Sequence, residues 1–353
     1  MSKPINTTVL EKSIDPNDPT AVSRKKDHIE LAFKSQVGAD ALDPRFYYEP
    51  LFAAHPEKGS WPAFSFLGKT MRAPVWVSSM TGGTDWANTI NHNLAKACGA
   101  FGMGMGLGSC RALLHNDDHL ADFDVRDHIG DDLPLFANLG IAQIEELIEE
   151  SETYKIAELV DKLRADGLII HVNPFQEWLQ PEGDRFKKPP IETISTVLEK
   201  LDIAVIVKEV GQGMGKESLK ALLQMPLAAV DFAASGGTNF AKLELLRSDE
   251  QKQAIYRELA HVGHSAADMV NITNEVVAEL GDRMACGQII ISGGLGSFLD
   301  GYYLINKIQV PAIYGQASAF LKHARGSYEV LHAHVDAQIR GLELAKAYLS
   351  VRE

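Results

Sequence analysis

At its centre the sequence reads Gly167-Leu168-Ile169-Ile170, followed by His171-Val172-Asn173-Pro174-Phe175-Gln176-Glu177. The apolar run predicts a buried β-strand. Past its C-terminal end stand an imidazole, two carboxamides and a carboxylate, and in an α/β barrel that end of each strand carries the active site. Because these side chains include no obvious nucleophile, the cluster favours proton transfer or binding over acyl transfer.

The same arrangement recurs outward from this strand: short apolar or small-residue strands, each followed by a polar or glycine-rich loop and a helical pattern. Continuous apolar strands that alternate with amphipathic helices indicate a parallel sheet. Eight such units in about 250 residues predict an α/β fold, the (β/α)8 TIM barrel. The predicted strands cover residues 74–79, 102–107, 134–139, 168–172, 204–209, 228–233, 288–292 and 312–315.

Three segments are expected along the chain. Residues 1–70 form an N-terminal extension, residues 71–335 the barrel, and residues 336–353 a C-terminal helix. In the extension, Ser23 is the predicted N-cap of a charged helix. The long gap over residues 234–287 is expected to hold an inserted loop or helix, either a lid or a pair of surface helices.

Composition narrows the class of protein. The chain has 353 residues, of which 45% are hydrophobic, and a formal net charge of -13. Such an acidic chain repels nucleic acid and anionic membranes, and no apolar run approaches the ~20 residues that span a bilayer. Cys98, Cys110 and Cys286 match no metal-binding or CxxC spacing, which predicts reduced thiols. We therefore expect a cytoplasmic protein that binds neither nucleic acid nor membrane.

Three glycine-rich loops follow predicted strands six, seven and eight, at residues 235–239, 292–297 and 315–318. Taken singly, such loops mostly reflect a backbone that needs a positive φ angle. In this architecture, however, the last two loops are the usual phosphate site, where glycines let N–H groups approach the ligand. The three loops together favour a phosphate-bearing cofactor.

Lys208 follows the apolar residues 204–207 and is expected at the upper rim of the barrel. There a lysine can form a Schiff base, pair with a carboxylate such as Glu209, or neutralise the pyrimidine edge of a flavin. Beside glycine loops that suit a phosphate, the flavin interpretation gains weight. Asn138 and Thr81 would then supply polar groups to the ring.

Two groups of cations could hold an anionic substrate. Arg111 follows a Gly-Ser turn at a strand end, which favours a functional role. For Arg24, Lys25 and Lys26, local context alone favours a solvated helix face, since charge runs on helices usually face water.

Several motifs in combination resemble the type 2 isopentenyl diphosphate isomerases, over roughly residues 22 to 325. The most specific are HxNPxQExxQPEGD, VKEVG and GGTNFA. The others are RKxDHI, LDPRF, FLGKT, SSMTGG, GSCR, ANLG, SGG and FLK.

The resemblance implies the reversible isomerisation of isopentenyl diphosphate to dimethylallyl diphosphate in isoprenoid biosynthesis. Reduced FMN would serve as acid and base, Mg2+ would hold the diphosphate, and NADPH would reduce the flavin. Family members are commonly tetramers or octamers, so a homotetramer or homo-octamer is expected. This chemistry agrees with the central cluster, because a weakly basic alkene needs an acid held in a water-poor pocket.

The resemblance also assigns roles to individual residues. Gln176, His171 and Asn173 form the catalytic set, and Glu177 is the Mg2+ ligand. The diphosphate substrate would be held by Arg24, Lys25, Ser109, Arg111 and Gln176, which makes the N-terminal extension a substrate-covering segment. The FMN-binding set is Ser79, Met80, Thr81, Ser109, Asn138, Lys208, Thr238, Gly294, Gly296, Gln316 and Ala317.

The chain departs from the family pattern at one cofactor position. An arginine usually stands two residues after the second glycine of the SGG motif, where this chain has Gly296. One cation is therefore missing from the expected FMN phosphate site, and backbone donors would have to replace it. The catalytic motifs are intact.

Two rival interpretations stay open. An FMN-dependent oxidoreductase of a small hydroxy acid would share the cofactor loops. Such enzymes usually place a His-Arg pair opposite the flavin, where this chain has the HxNPxQE pattern. A non-catalytic barrel that senses flavin or a phosphate ligand would not require both Gln176 and Glu177.

Overall fold

The computed structural model describes residues 20–78 and 86–352. These residues belong to two compact units. The smaller consists of residues 20–46 with Arg352, and the larger is Tyr47–Val351.

The smaller unit contains the predicted charged helix, α1 (Ala21–Leu31), and a 3-10 turn at Ala39–Ala41. The prediction of Ser23 as the N-cap was wrong, because the helix begins earlier, with Thr20 as its flanking residue. Ser23 Oγ donates to the Thr20 carbonyl oxygen at 2.9 Å. This hydroxyl therefore bonds within the first turn and does not accept an amide proton.

A closed parallel barrel is the core of the larger unit. The strands of the described residues are, in chain order, β1 (Phe46–Tyr48), β2 (Phe64–Phe66), β3 (Lys69–Met71), β4 (Val75–Val77), β5 (Gly104–Gly106), β6 (Leu135–Gly140), β7 (Gly167–His171), β8 (Ala204–Lys208), β9 (Ala229–Asp231), β10 (Ile289–Ser292), β11 (Ala312–Gln316) and β12 (Leu349–Val351). Strands β4 to β11 are parallel, and each pairs with its sequence neighbours until β11 closes on β4. The eight predicted strands and the TIM-barrel fold are confirmed.

Helices alternate with the barrel strands. Within the described residues they are α2 (Ala87–Phe101), α3 (Leu120–Phe123), α4 (Arg126–Ile129), α5 (Ile141–Glu149), α6 (Tyr154–Lys162), α7 (Pro174–Leu179), α8 (Pro190–Lys200), α9 (Lys216–Leu223), α10 (Phe240–Arg247), α11 (Glu250–Tyr256), α12 (Ala266–Leu280), α13 (Phe298–Lys307), α14 (Ser318–Ala324) and α15 (Tyr328–Tyr348). Short 3-10 turns lie at Arg111–Leu114, Arg257–His261 and Gly281–Arg283.

The barrel strands are mostly apolar because both of their faces are covered, and most of their polar residues lie at the C-terminal ends. Leu168, Ile169 and Ile170 in β7 are fully buried, and Ile169 lies beside Ile206 of β8 in the register. Residues on one face fill the barrel, and those on the other pack under the helices. This explains why the central run shows no alternation of polar and apolar residues.

The long gap over residues 234–287 contains α10, α11 and α12, so the expected inserted helix is present. Helix α10 packs on α7, where Leu179, Ala241 and Leu245 form a buried apolar cluster. The insertion therefore braces the short helix that carries Gln176 and Glu177.

The barrel strands lie between Val75 and Gln316, inside the predicted 71–335 segment. The division of the chain at residues 70 and 335 stays a prediction. Across residues 20–78 and 86–352, no helix is both long enough and apolar enough to cross a membrane.

Candidate active site at the C-terminal face of the barrel

A cavity of about 400 Å³ opens at the C-terminal ends of β8 to β11 and β4, and we call it the glycine cavity. Its wall is made mainly of glycines, small residues and a few polar side chains. Six of the predicted cofactor-binding residues line it, namely Lys208, Thr238, Gly294, Gly296, Gln316 and Ala317.

Three glycines of this cavity, Gly236, Gly293 and Gly294, are required by close packing. A Cβ built on Gly293 would lie 2.3 Å from the backbone nitrogen of Ala234, and one on Gly236 would lie 2.9 Å from Cα of Gly294. All three glycines also have positive φ angles, between +71° and +111°. The two loops thus pack backbone against backbone and present main-chain groups to the cavity.

Buried polar atoms in the cavity wall lack partners. Ser78 Oγ and Gln316 Oε1 have no hydrogen-bond partner among the described residues. Gln316 donates through Nε2 to the Leu295 carbonyl oxygen at 3.3 Å, which fixes the direction of its amide. Buried polar atoms normally find partners, so these two indicate that the cavity takes a polar ligand.

Lys208 is buried at the end of β8, 7% exposed, and its Nζ donates to the carbonyl oxygen of Glu209 at 2.7 Å. The Glu209 carboxylate does not pair with this ammonium, because Oε2 accepts the backbone N–H groups of Gly211 and Gln212, both at 2.6 Å. The strand register instead places Asp231 of β9 beside Lys208. Burial lowers the pKa of Lys208, while the nearby Asp231 and Glu209 carboxylates act in the opposite direction.

Asp231 was missed by the sequence reasoning. It is 1% exposed, and its Oδ1 accepts a hydrogen bond from Ser292 Oγ. Burial raises the pKa of this carboxyl, and the Lys208 ammonium opposes that change. A lone acid inside the apolar residues 228–234 was the available signal, since a charge there needs a partner inside the fold.

His171 stands next to Lys208 on β7, and its Nδ1 lies 2.7 Å from Asn138 Oδ1. The Asn138 amide nitrogen already donates to the Leu107 carbonyl oxygen at 3.0 Å, so its oxygen faces the ring. We therefore assign the proton to Nδ1, which leaves Nε2 as an acceptor. Burial, and secondarily the charge of Lys208, lowers the pKa of His171 to about 3, so the imidazole is neutral at neutral pH.

Asn173, Gln176 and Glu177 form a network at the start of α7. Asn173 Nδ2 donates to Glu177 Oε1 at 2.9 Å and to Gln176 Oε1 at 3.1 Å. Glu177 Oε2 accepts the backbone N–H of Asp184 at 2.8 Å, which holds the carboxylate at both oxygens. Gln176 keeps its NH2 group as a donor. With Asn138, His171 and Asp184, these residues form what we call the β7 cluster.

Arg111 lies at the edge of the β7 cluster. Its guanidinium is 3.9 Å from Asp184 Oδ2, and the side chain is 62% exposed. The same Asp184 oxygen accepts from Gln143 Nε2 at 3.0 Å. Ser109 is exposed in the loop that precedes Arg111. A cation thus stands near the residue whose backbone holds Glu177.

Not every predicted site residue joins these two groups. Arg24 and Lys25 are exposed on α1, in the smaller unit. Ser79, Met80 and Thr81 lie outside the described residues. Where the structure describes the chain, no group of three or more His, Cys, Asp or Glu side chains could hold a metal ion.

Lys322 is a further cavity residue without a predicted role. It lies in α14 and lines the glycine cavity beside Ser318. Its position in the FLK motif, shortly after the last glycine loop, was the available signal.

The fold and these two groups define a class: a (β/α)8-barrel enzyme with a glycine-lined cavity next to a hydrogen-bonded amide and carboxylate cluster. No family model matches the chain. It is, however, 35% identical to the isopentenyl-diphosphate delta-isomerase of Rickettsia felis over 333 residues, 93% of this chain and 92% of that protein. Identity to the enzyme of the same name from Rickettsia peacockii is 36% over 328 residues, 92% of each chain.

The chain therefore belongs to the isopentenyl-diphosphate delta-isomerase family and is an isomerase, and the prediction of the type 2 family is confirmed. Solved structures agree on the fold. A flavocytochrome b2 variant with benzoylformate has a TM-score of 0.58 at 11% identity, over 86% of this chain and 75% of that chain. A mandelate oxidase variant with a monooxide FMN adduct has a TM-score of 0.51 at 11% identity, over 94% and 99%.

Proposed function

We propose that this chain interconverts isopentenyl and dimethylallyl diphosphate, with reduced FMN in the glycine cavity and Mg2+ at the β7 cluster. The observation that supports the proposal is that the glycine cavity and the β7 cluster lie side by side, at the ends of the adjacent strands β8 and β7. Lys208 lines the cavity, and its register neighbour His171 begins the cluster that ends at Glu177. A flavin and a diphosphate would therefore meet on one face of the barrel.

The residues of the glycine cavity fit FMN. The loops at residues 235–238 and 293–296 offer close backbone approach, which suits a phosphate. Lys208 supplies a buried cation, and Ser78 and Gln316 supply polar atoms that lack partners among the described residues. When bound, reduced FMN would supply the group that gives a proton to the alkene and takes one back. The relatives' name for the reaction, an isomerisation, requires no net redox change.

Glu177 is the residue proposed to hold Mg2+. It is 9% exposed, and its two oxygens are fixed by Asn173 and by the backbone of Asp184. A carboxylate oxygen keeps lone pairs beyond one hydrogen bond, so this fixed group can also bind a hard cation. Mg2+ commonly takes one or two carboxylates and completes its shell with phosphate and water, so Glu177 does not need a cluster of acids to bind it.

Gln176 and His171 have complementary parts in the proposal. The Gln176 oxygen is held by Asn173, so its NH2 group can orient the reacting end of the substrate. His171 is neutral and adds no positive charge. The diphosphate charge would therefore be met by Mg2+ and by Arg111, with Ser109, Arg24 and Lys25 as further donors.

Three finer parts of the proposal concern the cell. NADPH would reduce the flavin, the chain would act as a homotetramer or homo-octamer, and it would work in the cytoplasm.

The test is an anaerobic assay of the purified chain with FMN, Mg2+ and isopentenyl diphosphate. Reduction by dithionite or NADPH should give dimethylallyl diphosphate, detected by NMR, and oxidised flavin should give none. Gln176→Ala should retain flavin and lose turnover, and near-normal turnover in this variant would contradict its role. Bleaching of bound FMN by lactate or mandelate without isomerisation would overturn the proposal in favour of an oxidoreductase.

A further inference from the structure

The backbone donors at the start of α13 are already occupied. Asp300 Oδ2 accepts the N–H groups of Gly296 and Ser297, both at 2.9 Å. Ser297 Oγ in turn accepts the N–H of Asp300, which completes a capping box. Because the Asp300 carboxylate accepts these two amides, the N–H groups of Gly296 and Ser297 are not available to a phosphate.

Cations in the cavity wall are few. Within the described part of the chain, only Lys208 and Lys322 contribute a positive charge to the lining. Lys208 lies at the strand end, bonded to the Glu209 carbonyl oxygen, where it faces the ring side of a flavin in the proposed arrangement. Arg325, one turn after Lys322, does not line the cavity, because its guanidinium lies 4.3 Å over the Trp86 ring.

Lys322 is available for a ligand. It is exposed at the cavity mouth on α14, directly after the loop at residues 315–318. It has no hydrogen-bond or ion-pair partner among residues 20–78 and 86–352, whereas Lys208 is bonded to the Glu209 carbonyl oxygen. In a chain of net charge -13, a dianionic ligand needs a local cation to offset repulsion.

We infer that Lys322 is the residue that neutralises the phosphate of FMN in this chain. The inference rests on the proposed use of FMN, and it adds which residue supplies the positive charge that balances the phosphate. Lys322 is thereby a residue that selects phosphorylated flavin, because riboflavin offers this end of the cavity no charge.

The experiment compares FMN with riboflavin, which has the same ring and no phosphate. Dissociation constants are measured by flavin fluorescence for the wild-type apoprotein and for Lys322→Gln. We expect the FMN constant to rise about tenfold or more in the variant, as for loss of a charge-assisted hydrogen bond, while the riboflavin constant changes less than about twofold. Added salt should weaken FMN binding more in the wild type than in the variant.

Two further variants complete the design. Lys322→Arg should restore most of the preference for FMN. Lys200→Gln removes an exposed lysine at the end of α8, away from the cavity lining, and should leave both constants unchanged. Circular dichroism confirms that each variant is folded.

The possible outcomes distinguish a failure of the Lys322 inference from a failure of the proposed function. Wild-type FMN binding with an unchanged FMN-to-riboflavin ratio in Lys322→Gln overturns the role of Lys322 and leaves the proposed cofactor standing. Equally weaker binding of FMN and riboflavin by Lys322→Gln also overturns it, because Lys322 would then act on the ring that the two flavins share and not on the phosphate. A wild-type chain that binds neither flavin overturns the proposed function and the role of Lys322 together.

Discussion

The glycine cavity and the β7 cluster share one face of the barrel but are built from different parts of the chain. The cavity is shaped by backbone, since a side chain at Gly293 or Gly236 would collide with the facing loop. The cluster is shaped by side chains, since Asn173 holds the functional groups of both Gln176 and Glu177. We therefore expect the glycine cavity to lose ligand binding when a side chain is added to one of its glycines. The β7 cluster should lose its function when one of its side-chain groups is removed.

The largest effect is expected from Glu177→Gln, which keeps the shape of the β7 cluster and removes the charge. Loss of one partner from a buried charged contact costs about 2–5 kcal/mol, so kcat/KM should fall on the order of 100-fold, and Mg2+ dependence should weaken. FMN binding should be unchanged. Steady-state kinetics against Mg2+ concentration, with a flavin titration, measure both.

The matched control for that prediction is Glu182→Gln, in the loop that follows α7. Glu182 pairs with Arg247 at 2.7 Å and is 53% exposed, so its loss should matter little. Equal loss of activity in both variants would mean that turnover depends on the conformation of this segment and not on the Glu177 carboxylate.

An added methyl group tests the glycine cavity. Gly293→Ala places Cβ 2.3 Å from the Ala234 nitrogen at a φ of +93°, whereas Gly296→Ala meets only Asp300 Oδ2, at 3.5 Å. The first variant should lose roughly 1–3 kcal/mol of unfolding free energy and bind FMN more weakly. The second should resemble the wild type. Urea unfolding and flavin titration compare the pair, and equal behaviour would remove the argument that backbone packing shapes the cavity.

Arg111→Ala tests the rim of the β7 cluster, where contacts are exposed. We expect KM for the diphosphate substrate to rise about tenfold with kcat little changed, because the guanidinium would bind the substrate without touching the reacting atoms. Salt should reduce the difference from the wild type, since the arginine is 62% exposed. Arg257→Ala, an exposed arginine paired with Glu258, is the control and should have no effect. An unchanged KM in Arg111→Ala would exclude this role.

The same comparison explains what the sequence could and could not predict. The β7 cluster is close in sequence, so Asn173, Gln176 and Glu177 were recognisable from their spacing before any contact was known. The neighbouring positions of Lys208 and Asp231 could not be predicted, because they depend on the register between two strands.

The sequence also could not show which hydrogen-bond partner a polar group would choose at the start of a helix. Ser23 was predicted to cap α1, but the serine lies inside the helix and donates to Thr20. At α13 the N–H groups of Gly296 and Ser297, at the end of a glycine-rich loop, donate to Asp300 and are not offered to a ligand. In both places the residue types were read from the sequence, while the choice of partner was made by packing in three dimensions.

The smallest predicted effect concerns the neutral imidazole of the β7 cluster. The folded-state pKa of His171, about 3, lies below the ~6.5 of an unfolded histidine, because burial and the Lys208 charge disfavour its protonation. Above pH 6.5 neither state binds the proton. As the pH falls from 6.5 toward 3, His171 becomes protonated in the unfolded chain but stays neutral in the folded chain. Proton binding therefore favours the unfolded state, and the free energy of unfolding decreases.

The measurement is urea unfolding at pH 7 and pH 5.5 for the wild type and for His171→Gln. The free energy of unfolding of the wild type should fall by about 1 kcal/mol more than that of the variant over this interval, because only the wild type has the imidazole at position 171. His261→Gln, at an exposed position, should track the wild type. Parallel curves for the wild type and His171→Gln would mean that the imidazole titrates normally. The β7 cluster would then present a cation to the diphosphate, and the division of charge between Arg111, Mg2+ and the neutral histidine would have to be redrawn.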